Sequence, residues 1–305
     1  MSSSTTSRRT RRGIGAIGLV VAISAVSACS AVGVNTDPKN GYLPEGITEQ
    51  SKYVENLWIW SWVAALAVGV LVWGLALWCM VAYRRRKDDD GSLPVQLQYN
   101  VPLEILYTVV PMLMVGALFY YNQQAQQELI DTSKEPDTTI NVVGKQWSWD
   151  FNYVDEDVHE AGLMAPLDGK EGHEENLPTL YLPKGERVEF VLTSRDVIHS
   201  FWVPAFLEKM DVNPGIVNRF QVTPTETGTF QGKCAELCGA YHSQMLFNVK
   251  VVERDEFDAH MADLEKKGQS GLLGNDLNRE KINKQDLKML GDDRRDEKLI
   301  EDEEN

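Results

Sequence analysis

The stretch Gly232-Lys233-Cys234-Ala235-Glu236-Leu237-Cys238-Gly239-Ala240-Tyr241-His242-Ser243-Gln244-Met245 sets two thiols, an imidazole and a thioether within one short loop. These are soft donors, and at this spacing a tight turn can aim them at a single point. Thiolate, thioether and imidazole together favour copper over hard, oxygen-seeking cations. A mononuclear blue-copper site uses one Cys with two His and a weak Met, so the second cysteine is a surplus. Two bridging thiolates would hold two copper ions, and such a centre needs a second histidine from elsewhere. The five histidines are His159, His173, His199, His242 and His260. His199 is the best placed. It lies in Asp196-Val197-Ile198-His199-Ser200-Phe201-Trp202-Val203-Pro204, the sequel to an alternating run over 187–193, and the two read as neighbouring strands. Outside the cytoplasm two cysteines more often form a disulfide, and a Met near a His is more often packing. Cys, Cys, His and Met at fixed offsets, with a distant His before an apolar strand, favour copper over that reading. Zinc is a weaker rival, since structural zinc sites rarely use Met.

The chain of 305 residues has room for one or two domains, with 43% hydrophobic and 25% charged residues. Its net charge of -15 is concentrated after Asp131, while Arg8, Arg9, Arg11, Arg12 and Arg84 to Lys87 hold most of the early basic clusters. That excludes a nucleic-acid footprint and suggests basic protein partners.

The N-terminus reads as an export signal over residues 1–28, with a basic start and an apolar run over 14–25 that is too short to span a bilayer. Val26-Ser27-Ala28-Cys29 resembles a bacterial lipobox, which predicts cleavage before Cys29 and acylation of its thiol. Residues 29–56 read as an exposed extracytoplasmic linker, rich in Gly, Pro, Asn and Thr over 30–50. Residues 57–83 contain no charge and form the first predicted membrane helix. Trp58, Trp60 and Trp62 suit one interface, and Arg84-Arg85-Arg86-Lys87 suits the cytoplasmic side. After a loop over 84–100, a second apolar run over 101–121, interrupted by Glu104 and Pro111, returns the chain outward. Residues 122–136 read as a linker, and everything beyond as extracytoplasmic. A carboxylate such as Glu104 is costly in a spanning helix, and such residues face water or mark proton paths.

The external domain is predicted over 137–252, with strands at 139–143, 147–153, 187–193, 198–203, 218–223, 229–233 and 246–252. Many short strands without helical spacers imply a β-sandwich. An acidic insert occupies 154–178. The extension over 253–305 is acidic, helical near 254–267, a linker at 268–275 and highly charged at its end. His159, His173 and His260 read as solvated.

The motifs Asp196-Val197-Ile198-His199-Ser200-Phe201-Trp202-Val203-Pro204 and Cys234-Ala235-Glu236-Leu237-Cys238-Gly239-Ala240-Tyr241-His242-Ser243-Gln244-Met245 resemble subunit 2 of cytochrome c oxidase, and residues 51–252 fit that family almost throughout. The resemblance implies two transmembrane helices followed by an all-β cupredoxin-like Greek-key sandwich. It also implies a binuclear copper centre, CuA. There His199 and His242 each bind one copper, Cys234 and Cys238 bridge both, Met245 is a weak ligand, and Glu236 contributes its backbone carbonyl. The Glu236 side chain would reach a magnesium ion shared with the catalytic subunit, with Asp211 nearby. Trp147, in Gly144-Lys145-Gln146-Trp147-Ser148-Trp149-Asp150, would receive the electron, and Glu104 would lie at the cytoplasmic mouth of a proton channel. Lys209-Met210-Asp211-Val212-Asn213-Pro214-Gly215 also fits, although Ile216 stands where the family often has arginine.

The implied partners are the catalytic haem-copper subunit 1, the other oxidase subunits, a c-type cytochrome donor and membrane lipid, with haem only in partner subunits. The implied location is a bacterial plasma membrane, crossed twice, with the copper domain and both mature termini outside and a lipid anchor at Cys29. The chain resembles lipid-anchored oxidase subunits of Gram-positive bacteria, where the donor can be a membrane-bound cytochrome within a supercomplex. Asn152 near Trp147 and Arg195 near His199 stand where acidic groups would help a soluble donor dock. The insert over 154–176 is therefore expected to clamp the donor. A quinol oxidase subunit of the same fold should lack the copper ligands. A copper-delivery or thiol-redox protein should show a thioredoxin-like βαβ pattern around its cysteines, whereas Cys234 and Cys238 lie late, between strands.

Overall fold

The computed structural model describes residues 40–85, 93, 95–166 and 177–274. Cys29, His173, residues 86–92 of the basic loop and the tail from residue 275 lie outside the described residues. Residues 40–45 form a turn closed by the Leu43 N–H on the Asn40 carbonyl, 3.2 Å.

Two helices, α1 (Ser51–Ala82) and α2 (Val101–Leu129), are long and apolar enough to cross a membrane. At about 1.5 Å per residue each exceeds a hydrocarbon core of roughly 30 Å. Both outrun their apolar cores. Thr48 starts α1 early: its hydroxyl accepts the Ser51 N–H at 3.0 Å, and the Ser51 hydroxyl donates to the Thr48 carbonyl at 2.7 Å. At the other end, residues 123–129 of α2 are Gln, Ala, Glu and Leu, good helix formers that prolong the helix past the expected end at residue 121. Residues 46–50 also depart from the linker expectation, because Ile47 and Thr48 are buried in the domain. The Ile47 N–H bonds the Ala205 carbonyl at 3.0 Å and the Glu49 N–H bonds the Thr223 carbonyl at 3.0 Å. The first helix is thereby tethered to the sandwich by backbone.

Ten strands follow among the described residues. They are β1 (Thr138–Lys145), β2 (Ser148–Tyr153), β3 (Val158–Ala161), β4 (Thr179–Pro183), β5 (Val188–Ser194), β6 (His199–Val203), β7 (Glu208–Val212), β8 (Asn218–Val222), β9 (Gly228–Cys234) and β10 (Leu246–Val252). They form two five-stranded sheets, ordered β3-β2-β1-β5-β8 and β4-β10-β9-β6-β7. Parallel pairs β1/β5 and β4/β10 break the antiparallel pattern, so each sheet contains crossovers between strands distant in sequence. The three strands absent from the seven-strand expectation, β3, β4 and β7, all lie at sheet edges, and β3 and β7 carry charged side chains, as edges that must not pair with another chain often do.

Between the sheets Trp149, Phe151, Phe190, Phe201, Phe220 and Phe247 are wholly buried. Phe201 stacks on Phe247 with ring centroids 5.1 Å apart. Gly232 leaves room for this stack, since a Cβ there would sit 2.0 Å from the Phe247 ring.

A third helix, α3 (Arg254–Lys266), buries Phe257, Met261 and Leu264 against the sandwich. Beyond it the expected linker is a docked strap. The Gln269 carbonyl accepts the His159 N–H at 2.9 Å, the Gly271 N–H bonds Asp157 at 2.7 Å, and Val158 bridges Ser270. His159 and His260 are accordingly not simply solvated. The His159 Nδ1 lies 2.8 Å from the Gly271 carbonyl, and His260 stacks flat on Tyr181 at 3.6 Å, 3.4 Å from the Glu160 carboxylate. Residues 154–161 of the insert thus bind the chain's own C-terminal segment.

Candidate metal centre

The ladder between β6 and β9 pairs Phe201 with Cys234, and the Ala235 N–H bonds the Ser200 carbonyl at 2.9 Å. His199, which opens β6, is thereby set beside the cysteine that closes β9. The loop returns through a short 3-10 turn, His242–Gln244, and closes where the Cys234 N–H bonds the Met245 carbonyl at 3.0 Å. The side chains converge. The two Sγ atoms are 3.9 Å apart. The His199 Nδ1 lies 3.8 Å from the Cys234 sulfur, and the His242 Nδ1 lies 3.5 Å from the Cys238 sulfur. The Met245 Sδ is 3.8 Å from Cys238, and the Glu236 carbonyl is 3.2 Å from Cys234. Ligand atoms of His199, Cys234 and Cys238 all fall within 4.8 Å of one another. His199, Cys234, Cys238 and Met245 are buried, whereas the Glu236 side chain faces solvent.

The protonation behaviour of this cluster suits cations. Burial pushes the Cys234 thiol upward, but the hydrogen bond with His199 and those from the backbone outweigh it and leave the thiol below its usual range. Burial and the neighbouring Cys234 charge push Cys238 up to about 12. One thiolate forms readily and a second is opposed, because two adjacent anions are costly without positive charge between them. A bound soft cation would remove that cost, so the donor set fits copper.

Asp196, which carried no assigned role in the sequence, orients the site. Its Oδ1 lies 2.8 Å from the His199 Nε2 and its Oδ2 accepts the Gln146 N–H at 2.7 Å. An Nε2 proton given to Asp196 leaves the Nδ1 lone pair on the sulfur side, as second-shell carboxylates do at metal-bound histidines. The only local signal was an acid three residues before the histidine. Gly144 is a second such position: a Cβ there would come within 2.9 Å of the His199 ring.

Trp147 is half-buried against the same loop. Its indole N–H donates to the Cys238 carbonyl at 3.3 Å, and its ring meets Tyr241 edge-on at 4.7 Å. Gln146 donates to the same carbonyl at 2.7 Å. Asp211 is exposed on β7, directly opposite Ser200 of β6, and Ile216 is exposed. Glu104 is not part of the cluster. It sits in the first turn of α2, where its carboxylate accepts the Asn100 N–H at 2.9 Å while the Asn100 side chain accepts the Leu103 N–H at 3.3 Å. Asn152 and Arg195, expected on the docking surface, are both buried.

Fold and donor set define a protein with two helices fit for membrane crossing and a β-sandwich carrying a cluster of soft-metal donors. Residues 138–252 match the family model described as cytochrome c oxidase subunit II, periplasmic domain. The chain is 47% identical over 264 residues to a probable cytochrome c oxidase subunit 2 of Streptomyces avermitilis, covering 76% of this chain and 81% of that protein. It is 37% identical over 266 residues to cytochrome c oxidase subunit 2 of Mycobacterium tuberculosis, covering 72% and 73%. A crystal structure of the periplasmic domain of subunit II of cytochrome oxidase from Bradyrhizobium japonicum is 34% identical, with a TM-score of 0.41, and matches 44% of this chain and 97% of that one. The chain belongs to the cytochrome c oxidase subunit 2 family.

Proposed function

We propose that this chain is the electron-uptake subunit of a haem-copper oxidase. It would take electrons from a c-type cytochrome and deliver them to haem in the catalytic subunit, where oxygen is reduced to water as protons are translocated. The observation that carries the proposal is the pairing of two sulfurs 3.9 Å apart with one imidazole Nδ1 facing each. His199, Cys234, Glu236 through its carbonyl, Cys238, His242 and Met245 would hold two copper ions. Bound there, the metals supply a one-electron acceptor whose charge is shared across two thiolates.

The residues of the chain do the rest. The β6/β9 ladder fixes His199 and Cys234 before metal arrives, so the donors need little rearrangement when the charge changes. Trp147 joins the protein surface to the Cys238 carbonyl and gives the donor a short bonded route to the loop. In the assembled oxidase, Trp147→Leu is expected to slow turnover from the cytochrome about tenfold or more, equivalent to roughly 1.4 kcal/mol on the limiting step. Copper content should stay at the parental value. Parental turnover in that variant would contradict the assignment of Trp147.

Glu236, exposed on the loop, supplies an oxygen donor for a magnesium ion shared with the catalytic subunit, with Asp211 in the same region. Glu104 opens a proton path at the cytoplasmic end of α2. The expected result for Glu104→Gln is slower turnover and proton uptake with copper content and electron uptake intact; equal proton uptake in the two proteins would reduce Glu104 to a helix-capping role. Cys29 would carry the lipid anchor, which places the mature N-terminus and the copper domain outside a bacterial plasma membrane. The donor would be a c-type cytochrome, membrane-bound within a supercomplex, as the resemblance to Gram-positive oxidases suggests.

A further inference from the structure

The outer face of the β3-β2-β1-β5 sheet is crossed by the strap over residues 268–274, which lies beyond the stretch matched by the family model. From its bridge to β3 it passes over β2, where Asn152 treats it as a strand: the Asn152 Oδ1 accepts the Leu273 N–H at 2.8 Å and its Nδ2 donates to the Leu273 carbonyl at 3.3 Å. Asn152 also donates to Asn141, which donates in turn to the Val191 carbonyl and the Thr193 hydroxyl of β5. Just past the C-terminal end of β5, the Arg195 Nη1 donates to the Gly274 carbonyl at 3.1 Å.

Arg195 is only 9% exposed, and its Nε lies 3.6 Å from Asp150, a carboxylate that also receives Lys145 at 2.6 Å. The Arg195 N–H bonds the Gly144 carbonyl at 2.9 Å. Asp150 therefore ties together the two short segments that flank the metal cluster: Lys145, next to Gln146 and Trp147, and Arg195, next to Asp196. Those segments meet through the bond from the Gln146 N–H to Asp196, the same carboxylate that faces His199.

We propose that the strap and Arg195 form a latch that fixes the Asp196 loop and so orients His199 for metal. The latch makes Arg195 a positioning residue and gives the C-terminal extension a part in the copper site. This rests on the reading of that site as a copper centre. Without the strap, Arg195 loses the Gly274 carbonyl, Asn152 loses both bonds to Leu273, and water reaches the face beneath.

The test uses the full chain in purified oxidase with four changes: a stop after Gly274, a stop after Lys267, Arg195→Met and Arg195→Lys. Backbone amide exchange at Gln146 and Val197, whose N–H groups both bond the Asp196 carboxylate, reports the loop, and the electron paramagnetic resonance spectrum reports the copper environment. The stop after Gly274 keeps the strap and should leave both unchanged. The stop after Lys267 keeps α3 but removes the strap. It and Arg195→Met should each speed both amides by about tenfold or more, the loss of one charge-assisted hydrogen bond, and alter the copper spectrum. Arg195→Lys keeps a cation for Asp150 but cannot hold Gly274 as well, so its exchange should be intermediate. Parental exchange and an unchanged spectrum in the two Arg195 variants would overturn the latch, whether or not the shorter chain assembles. If the parent itself binds no copper, the metal reading fails, while the amide exchange still judges the latch.

Discussion

Cys238→Ser is expected to abolish the dinuclear site while leaving the domain folded. The Cys238 sulfur lies 3.9 Å from the Cys234 sulfur, 3.5 Å from the His242 Nδ1 and 3.8 Å from the Met245 Sδ, so it touches three of the other donors. A serine hydroxyl is a hard donor that does not ionise in this range, and it cannot bridge two soft cations. The side chain is close in size, and an unpartnered buried hydroxyl costs about 1 to 3 kcal/mol, small enough for the sandwich to survive. Copper should fall to one ion per chain or fewer. Turnover from the cytochrome should fall at least about a hundredfold, since even second-shell changes cost metal sites 10- to 100-fold. Full copper content in this variant would show that Cys238 is not a bridging ligand.

Trp149→Ala is expected to give the largest loss of stability. Trp149 is wholly buried and packs edge-on against Phe201, Phe247 and His199 with ring centroids 5.7, 5.5 and 6.1 Å away. Its indole N–H also reaches the Met245 carbonyl at 3.4 Å. Truncation removes packing from both sheets and from the His199 imidazole. The cost for a buried tryptophan is about 3 to 5 kcal/mol. That is a large part of the roughly 5 to 15 kcal/mol available to a domain. In metal-free protein the external domain should melt about 10 to 25 °C lower. A shift of a few degrees would mean that the core closes over the gap and that Trp149 does not organise the site.

The clustering of the Cys, His and Met side chains was legible because four of them sit in one loop at fixed offsets, and because His199 opens an apolar strand. Asp196 was harder to read. It faces the outer nitrogen of His199, away from the sulfurs, and its placement depends on a backbone N–H from Gln146, fifty residues earlier. The two long helices announced themselves through uncharged runs, but their ends did not. A reciprocal Thr48–Ser51 hydrogen-bond pair leads into α1, and glutamines prolong α2 where hydropathy falls. The strands β3 and β7 were hidden for a related reason, as edge strands with charged residues that blur the alternation. The strap was the least visible element. Gly268, Gly271 and Gly274 read as a linker, and Asn152 reads as a surface residue until its amide is seen to pair with Leu273.

That one loop and one strand of this chain build a two-copper centre can be tested on the purified full-length protein by metal determination together with electron paramagnetic resonance. The expected result is two copper ions per chain and a spectrum in which one unpaired electron is shared equally by both nuclei. One copper with an ordinary mononuclear spectrum, zinc in its place, or no metal with Cys234 and Cys238 joined in a stable disulfide would contradict it.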